Sequence, residues 1–264
     1  MQHHQFDSAG VRIAYVDTGD ISDETTRLDL PPVLLIHGFA SNHSVNWIYP
    51  GWFDALTKSG RRVIAIDNRG HGASEKLYDP AHYGADIMAE DAARLLDHLD
   101  VARAHVMGYS MGARITAFLT MTHADRMASA VFGGLGGAMI HGFDGSDNVA
   151  HALEAPSVDV IADQTGRMFR LFAEQTGGDL RALAACMRSG RPPIAPEKVA
   201  TSGVPILIAV GTKDEVSGPA RVLQEALPGS LVLDIPNRDH NRAVGDKVYK
   251  QGVLGFYDEV EAAA

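Results

Sequence analysis

Short runs of consecutive apolar residues, each closed by a glycine-rich turn and followed by a helical pattern, recur along the chain. The clearest are Val33 to Ile36, Val63 to Ile66, Ala104 to Met107, Ala130 to Phe132 and Pro205 to Val210, with Leu231 to Ile235 as a final run. Apolar runs without alternation predict strands buried on both faces, as in a parallel sheet covered by its crossover helices. Val11 to Val16 alternates with period two instead, which predicts an antiparallel edge strand with one wet face. Between the strands, Met88, Ala92, Leu95, Leu96 and Leu99 recur at helical spacing, with Glu90, Asp91, Arg94 and Asp97 on the other faces. An amphipathic crossover helix is expected there. A second helix should start just after Ser110 and carry Ile115, Phe118 and Leu119, and a last one should run from about Val244 to Val260.

The alternation of strand and helix breaks between Ala138 and Ser202. That stretch has helical segments, Gly166 to Gln175 and Leu180 to Arg188, but no credible buried strand. It reads as a helical cap, residues 138–202, inserted into a core formed by residues 1–137 and 203–264. The expected fold is α/β, a mostly parallel, doubly wound sheet with helices on both faces.

Composition narrows the reading. A hydrophobic share of 45% over 264 residues suffices for a sizeable core. The 33 acidic and 23 basic side chains give a formal charge of −10, spread along the chain, which disfavours nucleic acids and anionic membranes as partners. Cys186 is the single cysteine, so neither an intramolecular disulfide nor a cysteine metal cluster can form. No charged-then-apolar leader pattern opens the chain and no 18 uncharged apolar residues run together, so a soluble cytoplasmic protein is expected. No metal is expected, since no H-e-x-x-H pattern occurs and His3-His4 sits at a terminus expected to be mobile. No cofactor is expected either. The Gly133 to Gly137 run fails the dinucleotide pattern, because Met139 stands where its last glycine belongs.

The chemistry concentrates at five places. Gly108-Tyr109-Ser110-Met111-Gly112 fits G-x-S-x-G and lies between an apolar strand and a helix, the setting a nucleophile elbow requires. A serine hydroxyl is a poor nucleophile at neutral pH and needs a base with a group to orient it. His240, in the loop after the last strand, is the candidate base, and Asp214, after the strand Pro205 to Val210, the candidate acid. Asp239 and Glu215 are rivals for the acid, although Asp239 adjoins the histidine too closely to reach its Nδ1 easily. The order Ser, Asp, His is that of one serine-hydrolase fold and differs from the others. Two backbone N–H groups are candidates for the oxyanion hole: Met111, at the positive end of the new helix, and Phe39, in the glycine-bearing loop after Val33 to Ile36.

Taken together, His37-Gly38-Phe39, Asp67-Asn68-Arg69-Gly70-His71-Gly72, Gly108-Tyr109-Ser110-Met111-Gly112, Gly211-Thr212-Lys213-Asp214 and Asp239-His240 resemble the ordered motifs of the α/β-hydrolase superfamily. The resemblance covers nearly the whole chain. It implies an eight-stranded, mostly parallel sheet, a helical cap over the site, and a serine esterase-like catalytic triad of Ser110, Asp214 and His240. The expected reaction is hydrolysis of a small or medium carboxylic ester through an acyl-enzyme, the partner being a small ester-like molecule. Lactonase, thioesterase and C–C bond hydrolase chemistry use the same triad, and a ligand receptor with slow or single turnover is a reading of another class.

Other residues have plainer readings. The Asp67 to Gly72 turn is expected to brace the loop beside the oxyanion hole. Arg114, one helical turn after the serine, would meet a substrate carboxylate if it faced the cleft, but such an arginine more often pairs with a nearby acid. The spacing of Ser110 and Arg114 resembles that of the α/β-hydrolase-like synthase of menaquinone biosynthesis, which uses further cap arginines. Arg167, Arg170, Arg181, Arg188 and Arg191 could supply them here, but helical arginines in a cap are expected to face water. Asn42, His43 and Trp47 are candidates for lining the pocket or for packing. Met139, Met168, Phe169, Phe172 and Met187 are expected to seal the cap onto the core.

Overall fold

The computed structural model describes residues 3–19, 29–143 and 145–263. Eight strands form one sheet in the order β1-β2-β4-β3-β5-β6-β7-β8: β1 His3–Ser8, β2 Val11–Asp17, β3 Val33–Ile36, β4 Val63–Ile66, β5 Ala104–Tyr109, β6 Met127–Gly133, β7 Ile206–Gly211 and β8 Leu231–Ile235. β3 to β8 run parallel, while β1 and β2 are antiparallel additions at one side.

The apolar runs form buried strands because residues of both parities find a hydrophobic partner. In β3, Leu34 and Ile36 face a core shared with α2 (Ala85–His98) and α3 (Met111–Thr122). Val33 and Leu35 face a second core shared with α1 (Trp52–Lys58) and the C-terminal helix Lys247–Ala262. Ile64 and Ile66 against Val63 and Ala65 repeat the division in β4.

One expectation fails. β2 is not the edge, because β1 pairs with it from Val11 to Val16 and β4 flanks it on the other side. The physical reason lies in its composition: after Arg12 every residue to Val16 is apolar or aromatic, and Ile13, Tyr15 and Val16 divide between the two cores. The real edge is the more polar β1. His3 and His4 accordingly stand in a strand, His4 stacked on Tyr15 with ring centroids 5.3 Å apart, and not in a mobile terminus.

Residues 138–202 contain α4 (Ala138–His141), α5 (Ser146–Glu154), α6 (Gln164–Gln175), α7 (Leu180–Arg188) and α8 (Pro196–Ala200), and no strand among the described residues. After them come α9 (Ala220–Ala226), α10 (His240–Ala243) and α11, the helix Lys247–Ala262 named above. Among the described residues, no helix is long and apolar enough to cross a membrane. From β3 the chain moves outward to β4 and then returns to β5 on the other side, so the connections diverge between β3 and β5. Open α/β sheets offer a crevice at such a switch point, beyond the carboxyl ends of the strands.

Candidate active site

Ser110 follows β5 at that switch point and caps α3. Its backbone has φ +56° and ψ −114°, a conformation a non-glycine residue adopts only where its surroundings enforce it. Here the enforcement is visible. The Ser110 N–H donates to the Gly133 carbonyl of β6 at 2.8 Å. A Cβ at Gly108 would overlap the Gly112 carbonyl, and one at Gly112 would overlap the Ile36 carbonyl of β3. The two glycines therefore let the turn close tightly against its neighbours.

Asp214 and His240 meet across the ends of β7 and β8. The imidazole Nδ1–H donates to Asp214 Oδ2 at 2.8 Å, and since a carboxylate only accepts, the proton sits on Nδ1. Ser217, which sequence reasoning missed, completes the grouping: its hydroxyl donates to the same Oδ2 at 2.5 Å and lies 3.2 Å from His240 Nδ1. Asp214 Oδ1 accepts the Val216 and Ser217 backbone N–H groups, both at 3.0 Å. Burial alone would raise the Asp214 pKa, but the His240 and Ser217 hydrogen bonds and the nearby imidazole outweigh it and hold the carboxyl below its usual value. The rivals lie elsewhere. Asp239 caps α10 by accepting the Asn241 and Arg242 N–H groups, and Glu215 is exposed. Tyr109, the last residue of β5, ties that strand to His240, its hydroxyl donating to the His240 carbonyl at 2.6 Å.

The loop carrying Phe39 is held from three sides. His37 is fully buried, donates from Nδ1 to the Gly38 carbonyl at 2.7 Å and accepts the Asn68 N–H at Nε2, at 3.0 Å. Burial chiefly lowers its pKa, although the Asp67 carboxylate opposes this, so the ring stays neutral as these bonds require. The Gly38 N–H donates to Asn46 Oδ1 at 3.0 Å. Asp67 accepts the His43 N–H and, on its other oxygen, the Ala73 N–H, both at 2.8 Å. The Phe39 and Met111 N–H groups donate to no protein acceptor among the described residues, which leaves both as free donors flanking Ser110.

A cavity of about 270 Å³ opens beside Ser110 and His240 and borders Gly38, Phe39, Asn46 and Ser41. Met168, Phe169 and Phe172 of α6 line it, so of the five cap residues expected to seal the core, these three face the site. Met139 is wholly buried, and Met187 borders a smaller lobe of about 70 Å³ on the other side of Ser110. Asn42 and Trp47 do not border either lobe. Asn42 Oδ1 accepts the Ser44 and Val45 N–H groups, and Trp47 packs edge to face on Trp52, while His43 bonds Asp67. The hydroxyl of Ser110 makes no side-chain hydrogen bond among the described residues, His240 Nε2 likewise has no protein partner there, and both residues line the cavity.

Arg114 points away from acids and toward the backbone of the insertion. Its Nη1 donates to the Met139 and Pro192 carbonyls at 3.1 and 2.6 Å, and its Nη2 to Ala138 at 2.8 Å.

A family model described as alpha/beta hydrolase fold matches residues 31–156, the segment holding the Phe39 loop and the Ser110 elbow. The chain belongs to the α/β-hydrolase fold superfamily. Among curated relatives it is 32% identical over 224 residues to the dihydrolipoyllysine-residue acetyltransferase component of the acetoin cleaving system of Pseudomonas putida, covering 79% of this chain and 58% of that protein. The chain thus spans only about six-tenths of the length of that relative. Among solved structures, a carboxylesterase of Nitrososphaera gargenis superposes with a TM-score of 0.77 at 21% identity over the full length of both chains. An enol-lactonase from Burkholderia xenovorans superposes with a TM-score of 0.76 at 20% identity, over 97% of this chain and all of the other. At these identities the α/β-hydrolase fold is what is shared.

Proposed function

We propose that the protein is a serine hydrolase that cleaves a small or medium carboxylic ester through an acyl-enzyme. The observation that carries this reading is the direction of the His240 proton. With Nδ1–H given to a buried, ionised Asp214, the imidazole turns a basic Nε2 toward the cavity that also receives the Ser110 hydroxyl.

His240 Nε2 takes the Ser110 proton as Oγ bonds to the ester carbon, and the resulting oxyanion rests on the Phe39 and Met111 amides. The imidazolium then returns the proton to the departing alcohol oxygen, leaving the acyl group on Ser110. Water repeats the sequence with His240 as base, releases the acid and restores the serine. Asp214 stabilises the imidazolium throughout, and Ser217 holds Asp214 in place. A cavity of about 270 Å³ suits acyl and alcohol parts of a few carbons each. Lactone opening is the second reading, favoured by the fold shared with the B. xenovorans enol-lactonase.

Labelling with a fluorophosphonate tests both the nucleophile and the fold of the site. One adduct on Ser110, together with steady turnover of short-chain esters, is the expected result. Full ester turnover by a Ser110→Ala protein would overturn the mechanism, and a stoichiometric burst followed by arrest would favour a receptor.

A further inference from the structure

Ser110 stands between two unlike lobes. The larger is walled mainly by apolar side chains, while the smaller contains two cations, Arg114 and Arg191, among Phe39, Met111, Phe143 and Met187.

The other interior arginines supply the standard of comparison. Arg61, Arg69 and Arg170 are all buried, and each forms an ion pair at 2.6 to 2.7 Å: Arg61 with Asp258 and Glu261, Arg69 with Asp91, and Arg170 with Glu174. Arg114 is just as buried, with 3% of its surface exposed, and has no carboxylate partner among the described residues. Arg191 has none either. It lies over the Phe39 ring at 5.4 Å and donates to the Cys186 and Gly190 carbonyls at 3.0 and 2.8 Å, with Nη2 only 3.7 Å from Met111 Sδ. Of the arginines expected to face water, Arg170 and Arg191 turn inward, and only Arg170 finds a carboxylate. Arg167 and Arg181 are exposed, and Arg188 pairs with Glu154.

Backbone carbonyls satisfy several of these N–H groups, but dipoles do not cancel a unit charge. Burial and the neighbouring Arg191 push the Arg114 pKa down to about 10, a direction that an anion between the two would reverse. A buried charge is unfavourable unless a partner arrives, and at this place the partner would come with the ligand. The lobe, at about 70 Å³, holds roughly two water volumes, which is room for a carboxylate on a stem of one or two carbons.

We propose that the smaller lobe is a carboxylate subsite, and that the preferred substrates are esters in which one side of the scissile bond carries a carboxylate received by Arg191 and Arg114. The apolar remainder of the substrate fills the larger lobe. The proposal rests on the serine-hydrolase reading above and deepens it.

Two substrate pairs, followed by proton release, tell which side bears the anion: monoethyl succinate against ethyl butyrate for the acyl part, and carboxymethyl butyrate against propyl butyrate for the alcohol part. In one pair, Arg191→Gln should lower the ratio of kcat/KM for the anionic over the neutral ester by about 30-fold, the loss typical of unpairing a desolvated charge contact. Arg191→Lys should recover part of it. Raising salt from about 0.05 to about 0.5 M should depress the wild-type ratio more than that of the variant. Should Arg191→Gln fail to fold, Arg191→Met takes its place. A ratio unchanged by the substitution in both pairs overturns the subsite.

Calorimetric binding of succinate to a Ser110→Ala protein, with and without Arg191→Gln, reads the anion site without turnover. Ser110 labelling with ethyl butyrate turnover and an unchanged ratio would sink the subsite alone. No labelling and no turnover, with succinate bound only when Arg191 is present, would sink the reaction alone.

Discussion

Two groupings of serine, histidine and carboxylate lie at opposite ends of the same sheet. Beyond the carboxyl end of β5 are Ser110, His240 and Asp214, and near its start are Ser129, His105 and Glu261. In the second, His105 Nδ1 and Ser129 Oγ are 2.7 Å apart, and His105 Nε2 is 3.1 Å from Glu261 Oε1, as continuous a chain of contacts as any relay. Yet both nitrogens of His105 are engaged, its ring is stacked on Tyr257 at 4.3 Å, and Ser129 is wholly buried within β6. Arg61 binds the same Glu261 and fixes it as part of a charged anchor for α11. His240 differs by leaving one nitrogen free beside a cavity, and Ser110 differs by sitting on a strained turn with free amides around it. A reactive site thus requires something left unfinished, whereas the structural grouping is closed on itself.

The comparison can be broken most sharply at the serines. Ser110→Ala should lower kcat for a short ester by at least about 10⁴-fold, while Ser129→Ala should keep turnover within about twofold, both read in the same steady-state assay. Asp214→Asn, which removes the acceptor that fixes the Nδ1 proton, should cost about 10⁴-fold in kcat. Glu261→Gln should act on the melting temperature instead. Ser217→Ala removes one hydrogen bond to a buried carboxylate and should lower kcat about tenfold, a loss of roughly 1.5 kcal/mol. A Ser217→Ala enzyme with wild-type kcat would show that the two backbone N–H groups alone hold Asp214.

The smallest effects concern pH. Burial chiefly lowers the His105 pKa to about 4 and the His71 pKa to about 3, from the ordinary histidine value of 6.5. Between those values the unfolded chain binds protons that the folded one does not, so stability rises with pH there and is lost on acidification from about 6.5 downward. Each histidine contributes a slope of up to about 1.4 kcal/mol per pH unit. Urea unfolding at several pH values should show this, with a shallower slope in His105→Gln. His71→Ala should reduce stability more than it reduces the turnover of the protein that stays folded, consistent with its ring packing on Phe39 at 5.7 Å.

The strands and the elbow were legible because their patterns are local. VLLI and VIAI bury every side chain, and the glycines at 108 and 112 answer to carbonyls pressed against them. The misreading of β2 came from letting Arg12 set the phase of a run whose later residues are apolar at both parities. Ser217 went unnoticed because its role arises from a turn that folds three residues back on Asp214, although an aspartate followed by a serine at that spacing is the trace of such a turn. Asn46 was invisible for a different reason: its partner is the Gly38 amide, and only the folded loop brings the two together. The inward turn of Arg191 likewise depends on how α7 ends, which helical periodicity does not record.

Arg114 grips the insertion at both ends of its span, at Ala138 and Met139 where it leaves the sheet and at Pro192 shortly before it returns. The helices α5, α6 and α7 therefore hang as a cassette between two posts pinned to the helix that begins at the serine. Whatever replaces the intervening residues need only bring two stretches of backbone back to one guanidinium, so new walls for the larger lobe can be exchanged while Ser110, His240 and Asp214 stay where they are.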